Sequence, residues 1–247
     1  MFFARMDLFK TFDRVSIVNL PHRHDRRVET VAELRLLQQE VDGKHIQFFP
    51  AIRPESRGEF PTIGARGCFM SHHAIIKQAV ADGVERLLIL EDDVTFSPDF
   101  ARSASALAEA LVSRDWDIAY LGHSLPPAGG ADLLRAVNDS ILCAHCYALS
   151  RRGMQSLLAY LDVVVTRPDG HPEGGAQHYD GALNMWRAKF GAVCRVTDPS
   201  FVGQRSSRTD IHALGLKDRL PLVRQALATA RSLKNLVLRY AKRRQLL

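Results

Sequence analysis

Long apolar runs are absent from this 247-residue sequence. A helix that spans a bilayer needs about 18 or more consecutive apolar residues, and no stretch of the chain reaches that length. Residues 1–15 also lack an apolar core of the length found in signal peptides. We therefore expect a soluble protein that stays in the cytoplasm.

Cysteine is scarce, with four residues in the whole chain, Cys68, Cys143, Cys146 and Cys194. Four scattered cysteines are too few for a disulfide scaffold in a chain of this size, so we expect free thiols. Cys143 and Cys146 have the CxxC spacing of metal and redox sites. No second CxxC accompanies them, and packing is the preferred interpretation of this pair.

Excess positive charge is also missing from most of the chain, although the formal net charge is +6. Residues 213–247 carry nine Lys or Arg and one acid, whereas residues 1–212 carry 24 bases and 26 acids. The larger part of the chain therefore has no basic excess of the kind that nucleic-acid binding requires. We expect no nucleic-acid partner.

The basic segment has the pattern of an amphipathic helix. From Pro221 onward, helical spacing places apolar residues such as Leu222 and Leu233 on one face and Arg224 and Arg231 mostly opposite. Such a helix can lie on an anionic membrane surface, here the inner face of the cytoplasmic membrane. The alternative is that its apolar face packs on the rest of the protein.

Short apolar runs alternate with helical patterns along residues 1–212. The predicted strands cover residues 15–20, 46–49, 86–90, 116–121, 141–149 and 192–197. The predicted helices cover residues 28–41, 67–80, 150–161 and 181–190, and Ser97 and Pro98 open a further one. This alternation predicts an α/β fold, with one domain over residues 1–212 and a basic helical tail over residues 213–247.

Three consecutive carboxylates, Glu91, Asp92 and Asp93, directly follow the apolar strand at residues 86–90. Open α/β sheets bind ligands at the carboxyl ends of their strands, so these acids stand where a ligand would bind. On an extended stretch Glu91 and Asp93 point to one side, where they could share Mn²⁺ or Mg²⁺. An exposed acidic turn is the alternative for an isolated tripeptide.

The wider sequence resembles glycosyltransferase family 25, which includes bacterial lipopolysaccharide and lipooligosaccharide galactosyltransferases and collagen galactosyltransferases. Six blocks match in family order. They are VSIVNLPHRHDRR (residues 15–27), GARGCFMSHHAIIKQAV (64–80), LILEDDV (88–94), CYALSRRGMQSLL (146–158), HYDGALNMW (178–186) and PSFVGQRSSRTDI (199–211).

The resemblance implies a type-A glycosyltransferase fold, a mixed and mainly parallel sheet flanked by helices. It also implies a UDP-sugar donor, usually UDP-galactose, a divalent metal such as Mn²⁺ or Mg²⁺, and inversion at the anomeric carbon. The acceptor would be a hydroxyl of a glycan such as lipopolysaccharide or lipooligosaccharide.

Matching positions supply a set of predicted donor-binding residues: Asn19, Arg26, Arg27, Gly67, Ser71, His72, Glu91, Asp92 and Gln204. The amide of Asn19 and the guanidinium groups suit a nucleotide edge and phosphates. Ser71 and His72 are expected near the first turn of a helix whose amides face the ligand. The alternatives are a solvated helix start for the arginines and a structural role for the histidine.

Two aspartates are candidates for the base that takes the acceptor proton. Asp180 immediately precedes a predicted helix and could equally be only its N-cap. Asp210 could be the base, or Asp210 or His212 could complete the metal site formed by Glu91 and Asp93. The sequence leaves these alternatives open.

Two other classes of function are compatible with the same residues. A metal-dependent phosphohydrolase could use the same carboxylates and would need no acceptor hydroxyl. A non-catalytic carbohydrate-binding protein derived from the family is the other alternative.

The tail generates a prediction that separates membrane binding from packing. A chain that ends at Leu216 should keep its fold and lose salt-sensitive binding to anionic vesicles, because each basic residue near the surface contributes about 1 kcal/mol. Co-sedimentation with vesicles at two salt concentrations measures this. Equal vesicle binding by the full and shortened chains would mean that the tail is structural.

Overall fold

The structure of the chain is a computed structural model, and it describes residues 6–205. Within this range the strands are β1 (Arg14–Asn19), β2 (Ile46–Pro50), β3 (Arg86–Glu91), β4 (Val94–Phe96), β5 (Ile118–Gly122), β6 (Leu134–Ala136), β7 (Cys146–Ser150), β8 (Cys194–Thr197) and β9 (Val202–Gln204). The α-helices are α1 (His24–Leu36), α2 (Ile63–Ala81), α3 (Pro98–Ser113), α4 (Arg151–Val164) and α5 (Tyr179–Phe190). A short 3₁₀ helix covers Phe9–Thr11.

Seven of these strands form one sheet in the order β2-β1-β3-β7-β5-β8-β6. The pairs of β1 with β2, β1 with β3 and β5 with β8 are parallel. Strand β7 is antiparallel to β3 and β5, and β6 is antiparallel to β8. Five strands therefore run in one direction and two in the other, which confirms the predicted mixed, mainly parallel sheet.

Helices cover both faces of the sheet. Leu87 and Ile89 of β3 belong to a core that includes residues of α2, α4 and α5. Leu88 and Leu90 point to the opposite face, in a second core with residues of α1 and α3. Because both faces are covered, β3 has a continuous apolar sequence, as is usual for a central strand of a parallel sheet.

Polar side chains set the starts of three helices. The hydroxyls of Thr62, Ser97 and Ser150 accept hydrogen bonds from backbone amides in the first turns of α2, α3 and α4. The predicted start of α3 at Ser97 and Pro98 is confirmed. These caps satisfy amides that have no partner within the helix.

Several predicted boundaries differ from the structure, among them the first helix, which was predicted over residues 28–41 and covers His24–Leu36, and three others bear on residues discussed above. Helix α2 begins at Ile63, so Ser71 and His72 lie in its middle and not near its first turn. Strand β7 begins at Cys146 because Cys143, with φ of 86°, interrupts the extended backbone before it. Asp180 lies inside the first turn of α5, and His178 is the N-cap residue.

Two short strands outside the main sheet were not predicted. Strand β4 follows the acidic residues directly and pairs antiparallel with β9, so that Val94 lies opposite Gln204. This pair brings a residue near the end of the described chain beside the end of β3. The acidic motif is therefore enclosed by a second piece of backbone.

Some expectations concern residues outside the described range. The basic tail (residues 213–247), Asp210 and His212 lie there, and they stay predictions. Among the helices that the structure describes, none is both long and apolar enough to cross a membrane.

Candidate functional site

The acidic motif lies at the carboxyl edge of the sheet, beside the end of β1. Val18 of β1 pairs with Glu91 of β3, and a pocket of about 600 Å³ opens at this edge. Eight predicted site residues line the pocket: Arg26, Gly67, Ser71, His72, Glu91, Asp92, Asp93 and Gln204. Residues from four separate parts of the chain thus meet where the fold predicts a ligand.

Asp92 is the most firmly held of the three carboxylates and is 5% exposed. Its carboxylate accepts hydrogen bonds from Asn19 Nδ2 at 2.8 Å and from Arg26 Nη1 at 2.6 Å. Its backbone carbonyl accepts from the hydroxyl of Thr30 at 2.7 Å. Asp92 therefore ties the end of β3 to β1 and α1 from beneath the pocket.

Glu91 and Asp93 converge on Gln204. The amide Nε2 of Gln204 lies 2.8 Å from Glu91 Oε2 and 3.4 Å from Asp93 Oδ1. Asp92 and Asp93 lie in a turn between β3 and β4 and not on the extended stretch that was predicted, but the outer two carboxylates still meet at Gln204. The pairing of β4 with β9 is what holds Gln204 against them.

The electrostatics of this pair fit a divalent cation. Withdrawal from water and the charges of Asp93 and Asp92 raise the pKa of Glu91. Withdrawal from water also raises the pKa of Asp93, against the opposing effect of the Arg26 charge. Two convergent carboxylates whose charged forms are both disfavoured by withdrawal from water are a suitable oxygen-ligand set for Mn²⁺ or Mg²⁺.

Of the predicted donor-binding residues in the first matching block (residues 15–27), one lines the pocket and two lie outside its lining. Arg26 lines the pocket and lies 3.4 Å from Asp93 Oδ2. Asn19 is 1% exposed and lies behind Asp92, and it is not a lining residue. Arg27 stacks its guanidinium 4.5 Å from the ring centre of Phe48 and also lies outside the lining. Of the three, Arg26 is the one placed to meet a phosphate.

Helix α2 packs tightly against the loop that follows β2. A Cβ at Gly67 would lie 2.6 Å from the carbonyl oxygen of Ile52, so the close approach requires glycine. The Ser71 hydroxyl donates to the Gly67 carbonyl at 2.6 Å and accepts from the Ile52 amide at 2.8 Å. Ser71 therefore holds this wall of the pocket in place.

His72 is fully buried below the same wall. Its Nδ1 lies 2.8 Å from the hydroxyl of Tyr147, and its ring stacks on Tyr179 at 4.4 Å between ring centres. Burial lowers the pKa of His72 to about 3, so the imidazole is neutral. Its Nε2 has no hydrogen-bond partner within residues 6–205.

Asp180 lies near the pocket but does not line it. Its carboxylate accepts from the backbone amides of Cys143 at 3.2 Å and Gly181 at 2.9 Å. Burial, then the charges of Glu91 and Asp180, raise the pKa of the Cys68 thiol, so both carboxylates lie within electrostatic range of Cys68. Cys68 lines the pocket, which puts Asp180 behind that side of the wall.

Arg205 is a site residue that the sequence analysis missed. It is 8% exposed, and Nη2 donates to the backbone carbonyl of Asp92 at 2.7 Å, while Nε lies 3.2 Å from Glu29. Its backbone amide also donates to the carbonyl of Asp93 at 2.7 Å. The only signal was its place beside Gln204 in a matching block, where nothing indicated that its side chain is buried.

Comparison with known proteins bears on this site. Residues 12–125, which include the acidic motif and the pocket wall of α2, match glycosyltransferase family 25 (LPS biosynthesis protein). Over these residues the chain is similar to that family. The predicted resemblance is confirmed over these residues.

Curated relatives of this chain differ in their described activity. Procollagen galactosyltransferase 1-B of Xenopus laevis is 31% identical over 174 residues, 60% of this chain and 28% of that protein. Inactive glycosyltransferase 25 family member 3 of Mus musculus is 28% identical over 171 residues, 60% of this chain and 29% of that protein. The chain thus spans less than a third of the length of these relatives.

One solved structure also resembles the chain. It is a glycosyltransferase involved in the glycosylation of the major capsid of PBCV-1, with 12% identity and a TM-score of 0.49. The match covers 79% of this chain and 95% of that chain.

The contacts of Asp92 generate a prediction about stability. Asp92→Asn should lower the free energy of unfolding by about 3 kcal/mol, because the buried carboxylate of Asp92 is the nearer of the two that face the half-buried Arg26. Urea unfolding measures the change.

Asp25→Asn is the matched control, since the arginine partners Arg23 and Arg26 are equally exposed but Asp25 is exposed where Asp92 is buried, so its loss should cost less than about 1 kcal/mol. Equal losses in the two variants would contradict a supporting role for Asp92.

Proposed function

We propose that this chain is an inverting glycosyltransferase that moves a sugar, galactose by preference, from a UDP-sugar to a hydroxyl of a glycan acceptor. The observation that carries the proposal is the convergence of Glu91 and Asp93 on one side of the pocket, with Arg26 beside them. The match of residues 12–125 to family 25 supports glycosyl transfer, and lipopolysaccharide or lipooligosaccharide is the acceptor class we favour.

The pocket residues suit a nucleoside diphosphate. Glu91 and Asp93 would hold Mn²⁺ or Mg²⁺, which supplies charge neutralisation on the diphosphate as it departs. Arg26 offers a guanidinium to the same phosphates, while Asp92 fixes its orientation. The apolar and backbone groups of residues 51–54 form the wall on which the nucleoside would lie.

Asp180 is the base we favour among the described residues. Direct displacement with inversion needs a carboxylate that takes the acceptor proton, a contribution of roughly 10²- to 10⁴-fold. Asp180 acts electrostatically on Cys68, which lines the pocket, so among the described candidates for the base it is the one near this wall. Asp210 remains the second candidate.

The basic tail is consistent with the same proposal. A glycolipid acceptor is presented at a membrane, and residues 213–247 carry the charge that attracts an anionic leaflet. We therefore propose a cytoplasmic protein that binds peripherally to the inner face of the membrane.

A non-catalytic carbohydrate-binding protein is the second candidate, because several relatives are named inactive. A metal-dependent phosphohydrolase is the third. Incubation with a panel of UDP-sugars separates them by turnover that needs a glycan acceptor, by binding alone, or by turnover without an acceptor.

Asp93→Asn tests the metal-dependent transfer. The variant should lose at least about 100-fold in turnover while keeping its thermal stability, because charge stabilisation at the departing phosphate contributes effects of that size. Transfer of radiolabelled sugar to glycan measures turnover, with and without excess chelator.

Asp99→Asn is the matched control, because Asp99 is an exposed carboxylate in the first turn of α3, outside the pocket. Full turnover of Asp93→Asn, or of the native chain in excess chelator, would overturn the mechanism.

A further inference from the structure

Three side chains of metal-binding type meet at one wall of the pocket, beside the pair formed by Glu91 and Asp93. Cys68, His72 and Glu91 each offer a ligand atom, and these atoms all lie within 4.8 Å of one another. Cys68 and His72 are four residues apart on α2, so they share one face of the helix. Glu91 at the end of β3 faces them from the sheet.

The burial of His72 and the unsatisfied Nε2 atom of its ring indicate that a ligand binds there. It is 0% exposed, and its Nε2 makes no hydrogen bond to any described residue. A buried polar atom without a partner is costly, and most such atoms in native proteins are satisfied. An ion bound between His72, Cys68 and Glu91 would satisfy it.

The surroundings of His72 already have the form of a metal-binding histidine. Its Nδ1 contacts the Tyr147 hydroxyl, which lies 2.9 Å from the hydroxyl of Tyr179. With Nδ1–H donating to Tyr147, the lone pair of Nε2 is available to an ion. Metal-binding histidines typically donate their other nitrogen to such a partner, which fixes both the tautomer and the ring.

We propose that Cys68, His72 and Glu91 form a binding site for a zinc-class transition-metal ion, separate from the oxygen-ligand pair of Glu91 and Asp93. A thiolate and an imidazole select a softer ion than Mn²⁺ or Mg²⁺, which prefer oxygen ligands. Three protein ligands leave a fourth position open, and all three residues line the pocket. Glu91 contributes to both sites, since it has two carboxylate oxygens.

Binding at this site involves one proton. Burial raises the pKa of Cys68, so without an ion the side chain is a neutral thiol. The ion displaces the thiol proton to the buffer and binds the thiolate, and no electron is transferred. The site therefore needs no oxidant or reductant.

Cobalt provides the test, because Co²⁺ bound to a thiolate absorbs light through sulfur-to-metal charge transfer, whereas Co²⁺ bound only to oxygen and nitrogen does not. The full chain, stripped of metal, should develop this near-ultraviolet band on addition of one equivalent of Co²⁺. One equivalent of Zn²⁺ should abolish it, because zinc binds such ligands more tightly than cobalt.

Single substitutions identify the residues that give rise to the cobalt absorption band. Cys68→Ser should abolish it, and Cys143→Ser, which alters a half-buried cysteine outside the cluster, should leave it unchanged. His72→Gln, whose fold is checked by circular dichroism, should weaken Co²⁺ binding while Cys143→Ser does not. Absence of the band in the native chain, or its persistence in Cys68→Ser, would overturn the proposal.

Asp93→Asn separates this site from the proposed transferase mechanism. The variant should keep the cobalt band, because Asp93 is not one of the three ligands. Loss of the band in Asp93→Asn would mean that there is a single metal site and would overturn the proposed second one, whatever the result for sugar transfer.

Discussion

Electrostatic repulsion among the three carboxylates at the end of β3 is the constraint on which the site depends. Glu91 and Asp93 lie on one side of the chain, in a pocket where withdrawal from water raises their pKa values. A divalent cation bound between the carboxylates would relieve this repulsion, because it takes carboxylate oxygens as ligands. The same cation would neutralise the negative charge of a bound diphosphate. The proposed donor site consists of these carboxylates, the cation and the diphosphate that the cation binds.

The rest of the fold controls where each carboxylate points. Asn19 and Arg26 hold the carboxylate of Asp92 in the turn between β3 and β4, and Arg26 also lies 3.4 Å from Asp93 Oδ2. Gln204, which the pairing of β4 with β9 carries to the motif, contacts both Glu91 and Asp93. The arrangement of the three carboxylates therefore depends on contacts with residues that are far away in the sequence.

Much of the architecture could be predicted because short stretches of sequence contain the patterns that determine it. The apolar run of β3, the cap at Ser97 and the acidic motif are all visible in short windows of sequence. The missed features depend on contacts between distant residues. The three-residue strands β4 and β9 have no pattern of their own, and the burial of Arg205 follows from packing against β4. The cluster of Cys68, His72 and Glu91 forms only when α2 is laid against the end of β3.

The most direct test of the account is calorimetric titration of UDP into the full chain, in excess Mn²⁺ and in excess chelator. If the carboxylates hold the ion that binds the diphosphate, UDP should bind at least about tenfold more tightly with Mn²⁺, a difference of ~1.4 kcal/mol or more. Equal affinity for UDP in both conditions, or no binding in either, would contradict the account.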